Sequence, residues 1–133
     1  MKSKIKLSVL SLFFASTILA SSLDQGAYNV SVAAKSLIAA YEENEVRADS
    51  LYAGKFISVG GKAGKVRKES DGDPYLELFA SDSDSEYGPN LHCRFSESYA
   101  GRLSSIRPGT LIGVKGLVVG RRDGVIILKN CSL

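Results

Sequence analysis

From Gly54 onward the chain consists of β-branched and apolar runs broken by glycine, the sequence sign of several short strands. Residues 56–66 alternate Ile57, Val59 and Ala63 with Ser58 and Lys62, and Gly60, Gly61 and Gly64 predict a coiled, bulged strand. After a turn at Ser70 to Asp73, residues 75–79 form a second strand with Leu76 and Leu78 on one face and Tyr75, Glu77 and Phe79 on the other. A polar loop over 81–90 leads to a third strand at 91–95, and residues 97–106 have the composition of a short helix ended by Pro108-Gly109. Residues 111–119 and 125–131 make a closing hairpin about Asp123-Gly124. Upstream, Ala34, Leu37, Ile38 and Tyr41 recur at helical spacing, so one amphipathic helix is expected from Val32 to near Asn44, with Ser31 as its N-cap. Three strands, a helix and two strands, with a long glycine-bearing first strand, is the order of a five-stranded OB-fold Greek-key barrel. The fold class is therefore mainly β, with an N-terminal α-helix before the barrel.

The first 22 residues read as a secretory signal. Lys2, Lys4 and Lys6 precede an uncharged apolar run from Leu7 to Ala20, and Ala20 and Ser22 offer a small-residue cleavage site. The apolar run is shorter than the roughly 20 residues that a spanning helix needs, so no transmembrane anchor is expected after cleavage. The domain plan is a signal at 1–22, a flexible arm at 23–31, and a helix plus barrel at 32–133. That plan places the product in the periplasm or outside the cell. Without its three leader lysines the chain carries 14 basic against 14 acidic residues. A neutral domain attracts phosphate only where its charges are segregated, which makes nucleic acid a less favoured partner.

Two cysteines, Cys93 and Cys131, meet an oxidising compartment after export, where a disulfide is the usual fate of an even count. Strict alternation puts Cys93 with Leu91 and Phe95 but Cys131 with Val125, Ile127 and Lys129, so the inward or outward sense of each depends on bulges. Two sulfurs and the single His92, without CxxC spacing, fall short of a closed zinc site, and no metal is expected. Asp82, Asp84 and Glu86 imitate the opening of a calcium loop, but Tyr87 stands where glycine is needed and Cys93 where glutamate is needed. That segment reads as solvated loop.

The residues also resemble the tRNA-anti-like family of OB-fold proteins, which includes exported and lipoprotein members of unknown function. The likeness rests on Ala40-Tyr41-Glu42-Glu43-Asn44-Glu45, Ala48-Asp49, and Tyr52-Ala53-Gly54-Lys55 before the first strand. It continues through Pro74-Tyr75-Leu76, Cys93, Phe95, Pro108-Gly109, Val114-Lys115-Gly116 and the closing stretch from Leu128 to Cys131. The resemblance implies a barrel preceded by a helix and names no reaction. The chain lacks the lipid-acceptor cysteine of the lipoprotein members.

Function is sought on the outward face of strands two and three, the usual OB binding surface, where Tyr75, Glu77, Phe79, His92 and Arg94 are expected together. Arg121 and Arg122, at the tip of the closing hairpin, are the other binding candidates. No G-x-S-x-G elbow or phosphate loop is present, so neither catalysis nor a cofactor is expected. The expectation is a non-catalytic binding module contacting a protein or peptide in the cell envelope. An oligosaccharide or a single-stranded nucleic acid on the same face is the alternative.

Overall fold

The computed structural model describes residues 30–82 and 91–133. The signal, most of the arm, and the polar loop with Asp84 and Glu86 lie outside the described residues. A short strand β1 (Ser31–Ala33) leads into helices α1 (Ala34–Glu43) and α2 (Glu45–Tyr52). Strands β2 (Phe56–Lys68), β3 (Pro74–Phe79) and β4 (Leu91–Arg94) follow, then a 3-10 turn (Glu97–Tyr99) continuing as α3 (Ala100–Leu103). Strands β5 (Leu111–Arg122) and β6 (Val125–Ser132) complete the chain. The sheet runs β1-β2-β3-β4-β6-β5, and β2 pairs with β5 to close the five-stranded barrel.

Closure depends on the long strand expected at 56–66. Its first half pairs with β5, Phe56 facing Leu117 through Lys62 facing Leu111. Its second half pairs with β3, Lys62 facing Phe79 through Lys68 facing Pro74, with an irregularity between Ala63 and Val66. One strand thus serves two neighbours by bending at Lys62, where its glycines relieve the crowding. The two-residue turn at Asp123 (φ 51°) and Gly124 (φ 80°) has both residues left-handed, as a tight hairpin needs. Strands β4 and β6 lie side by side and parallel, with Cys93 opposite Leu128.

Two features of the N-terminal segment depart from the sequence expectation. Ser31 is not a helix cap: residues 31–33 are extended and pair in parallel with 58–60, and the Val30 carbonyl accepts the Ser58 N–H at 2.8 Å. The alternating valines of this stretch suit a strand, and α1 starts at Ala34, with its N-cap position at Ala33 and no side-chain cap. The end of the arm is therefore tied to the barrel. The second helix, α2, is additional to the one expected. Its only buried residue is Ala48, so it lacks the apolar stripe that betrays a helix, and its signals are Asn44, which accepts the Arg47 N–H at 2.9 Å, and the acidic Glu45 in the first turn.

The four residues expected to form the apolar stripe of α1, Ala34, Leu37, Ile38 and Tyr41, are all buried and join one core with Ile57, Val59, Leu76, Leu78 and Leu128. The Tyr41 hydroxyl donates to Asp49 Oδ1 at 2.9 Å, tying α1 to α2, and burial followed by this bond raises its pKa. Replacing Tyr41 by Phe is expected to cost about 1.5–3 kcal/mol, the usual worth of a hydrogen bond to a charged group, read from urea unfolding.

Both cysteines are buried in this core. They stand here as separate thiols, close enough for Cys131 to hold the Cys93 pKa above its usual value. Asn130 at φ 52° carries an extra residue in β6, shifting the pairing with β5 between Lys115 and Leu117. That bulge returns Cys131 to the inward face that Ile126 and Leu128 occupy, and it settles the orientation that alternation left open.

Candidate functional site

Strands β3 and β4 pair in register, Tyr75 opposite Arg94 and Glu77 opposite His92, so the expected outer-face residues do share one surface. Their availability is unequal. Glu77 and Phe79 are buried, at 6% exposure each, and drop out as contact residues. The cause is Gly64 on β2: a Cβ there would lie 2.4 Å from the Phe79 ring and 3.0 Å from the Glu77 Cβ. The bare backbone lets Phe79 and the stem of Glu77 fold down across β2 instead of standing up into solvent. Glu77 then accepts from Arg67 Nε at 2.5 Å, and this ion pair compensates its burial.

What remains half-exposed is Tyr75, His92 and Arg94. The rings of Tyr75 and His92 stack with centroids 4.6 Å apart and planes inclined by 32°. Arg94 is held by the turn at 69–73, with Nη2 donating to Asp71 Oδ2 at 3.0 Å and Nε 3.9 Å from Glu69 Oε1. That second distance is an ion pair but too long for a hydrogen bond. Arg94 Nε and His92 Nε2 are consequently buried atoms with no hydrogen-bond partner among the described residues. Such groups are uncommon in folded proteins.

Burial lowers the His92 pKa below its usual 6.5, opposed by the nearby carboxylates of Glu77 and Glu69. The imidazole is neutral at pH 7 and packs as a ring on Tyr75. Because the folded protein takes up this proton less readily than the unfolded chain, stability is whole above pH 6.5 and declines as pH falls below it. The urea midpoint should therefore drop between pH 7 and pH 5, and His92→Gln should flatten that part of the profile.

The hairpin arginines do not join this cluster. Arg121 lines a small recess against α1 with Ile38, Tyr41 and Glu42, while Arg122 is exposed at the tip. A site that the sequence analysis missed lies elsewhere, between the end of β2 and the segment 100–108. There a groove of about 580 Å³ is lined by Val66, Leu103 and Ile106 together with Lys65, Arg67 and Lys68. The balance of charge over residues 23–133 hid it, since the signal was the local run Lys65-Val66-Arg67-Lys68. Among the described residues no cluster of three or more His, Cys, Asp or Glu side chains could hold a metal ion, and no helix is long and apolar enough to cross a membrane.

The sequence model of the tRNA_anti-like family matches residues 5–132. The chain belongs to the tRNA_anti-like family. Among solved structures, one from Klebsiella pneumoniae subsp. pneumoniae MGH 78578, provisionally described as a nucleic acid-binding lipoprotein, superposes with a TM-score of 0.64 at 19% identity. The match covers 82% of this chain and 94% of that one, and at this identity it shows the shared fold. No curated protein matches the chain.

The residues that carry the likeness to other tRNA_anti-like chains have a structural explanation here. Tyr41 bonds Asp49, Asn44 caps α2, and Ala48 is fully buried. Gly54, at φ 79°, donates its N–H to the Val118 carbonyl at 2.8 Å, and the Val118 N–H donates to the Lys55 carbonyl at 3.0 Å. The motif fastens a helix pair to β5 of the barrel. It says how the helices and barrel of this chain are joined and leaves its ligand unspecified.

Proposed function

We propose that the protein is a non-catalytic binding module of the cell envelope that contacts a protein or peptide partner through Tyr75, His92 and Arg94. The observation that carries this reading is the charge balance of the β3/β4 face. Arg67 is neutralised by Glu77 and Arg94 by Asp71 and Glu69, so the aromatic pair sits in a polar surface without excess positive charge. A polyanion gains little there, whereas a partner offering an apolar side chain and a few hydrogen-bonding groups gains the Tyr75–His92 ring pair and the half-exposed Arg94. The leader-like start of the chain and the lipoprotein described for the structural neighbour support an envelope location.

The neighbour's description also favours a second reading, in which the same face takes single-stranded nucleic acid, with Tyr75 and His92 as a stacking platform. A photo-crosslinking residue at His92, in the exported protein in its own cells, tests the first reading. A discrete adduct that disappears on Tyr75→Ala with Arg94→Ala supports it, and an adduct indifferent to that pair rejects it. Titration with oligothymidylate tests the second, since phosphate contacts require affinity to fall steeply with salt.

A further inference from the structure

The groove beside β2 differs from the β3/β4 face in both charge and lining. Its floor is aliphatic: Val66 is exposed at 36% although it belongs to a strand, Leu103 is buried at 1%, and Ile106 is half-buried between them. Lys65 and Lys68 are exposed on one side of it and have no ion-pair partner among the described residues, and no carboxylate lines the groove. The irregularity between Ala63 and Val66 creates this arrangement, because it breaks strict alternation and turns Val66 into the groove between the two lysines. The neighbouring carboxylates of Glu69 and Asp71 are directed away, onto Arg94.

We infer that this groove is a docking site for an acidic peptide segment bearing an apolar side chain. Its apolar side chain would rest on Val66 and Ile106, with the buried Leu103 beneath them, while its carboxylates meet Lys65 and Lys68. Charge complementarity selects an anionic occupant, and the floor selects among anions. Nucleic acid bound without base readout needs aromatic faces on which bases stack, and the groove lining contains none. Two rings border the lining: Tyr99 is packed on Phe95 with centroids 5.4 Å apart and covered by the Arg102 guanidinium 5.5 Å from its centroid, and Tyr75 is engaged with His92 at 4.6 Å. Aliphatic side chains on the floor and ammonium groups at the edge are the complement of an alternating acidic and apolar sequence. The groove adjoins the face described under the proposed function through Arg67, which pairs with Tyr75 across the sheet, but Lys65, Val66, Lys68 and Ile106 take no part in that reading, so their substitution tests the groove by itself.

The test uses a fluorescein-labelled peptide alternating aspartate or glutamate with leucine, titrated against the purified full-length chain while amide shifts are followed by NMR. Binding should perturb residues 65–68 and 100–108 most strongly and leave His92, one strand further away, unmoved. Lys65→Glu with Lys68→Glu should weaken it roughly tenfold, since two exposed attractions become repulsions. A peptide with its leucines changed to serine should lose binding to a similar degree. Both lysines are exposed, and Lys65→Gln with Lys68→Gln, with a melting temperature matching the parent, gives a milder loss should the reversal disturb the fold. Absence of perturbation at 65–68 and 100–108, indifference to both lysine pairs, or tighter binding of oligothymidylate in the same groove would each overturn the inference.

Discussion

Oxidising the purified chain with glutathione disulfide should join Cys93 to Cys131, lower its mass by two hydrogens, and stabilise it by about 4 kcal/mol. That magnitude follows from closing a loop of about 38 residues in the unfolded chain. The structure supplies the required proximity: both thiols are buried on the parallel neighbours β4 and β6, close enough for Cys131 to shift the Cys93 pKa. It also predicts the kinetic obstacle. The hydrogen bond to Cys131, and then burial, push the Cys93 thiol well above its usual pKa, and a protonated thiol is a poor nucleophile. Oxidation of the folded protein should therefore be slow and oxidation during refolding fast, with the melting temperature of the oxidised form higher by about 10 °C or more. Cys131→Ser should abolish the gain. Equal melting temperatures for the oxidised and reduced forms would show that the bridge strains the barrel as much as it restricts the unfolded chain.

The barrel was legible in the sequence because its signals are local. Ile57, Val59 and Ala63 alternate with polar residues, Asp123-Gly124 makes a turn that few other pairs make, and all of these stand where expected. The cysteine geometry was not, since a single left-handed Asn130 inverts the phase of the last residues of β6 and nothing in the composition announces it. The binding face was legible only in register. Alternation correctly put Tyr75, Glu77 and Phe79 on one side of β3, but whether a side chain stands up or lies down depends on its neighbour across the sheet, and Gly64 on β2 lets Phe79 lie flat. The basic groove was hidden because net charge averages over the surface, whereas its positive character comes from a bulge that sets Lys65 and Lys68 beside Val66.

Truncating Leu37 to Ala should cost about 2–5 kcal/mol, a large share of the roughly 5–15 kcal/mol that holds a domain of this size together. Leu37 is fully buried on α1, in the same core as the inward residues of the barrel. The helix cannot yield to fill the space, because its start is pressed onto the sheet: a Cβ on Gly61 would lie 2.9 Å from the Ala34 Cβ and 2.6 Å from the Phe79 carbonyl oxygen. Its other end is fixed through Tyr41 to Asp49 and through α2 to β5. A helix held at both ends leaves a cavity rather than collapsing, which places the expected loss toward the upper part of that range. Val46→Ala is the matching control, since Val46 is 79% exposed on α2 and its loss should stay within about 0.5 kcal/mol. Urea unfolding of the two variants separates an integral helix from an appended one. If α1 were appended, Leu37→Ala would leave the midpoint of barrel unfolding unchanged, and if it is integral, helix and barrel should unfold in one transition at a lower midpoint.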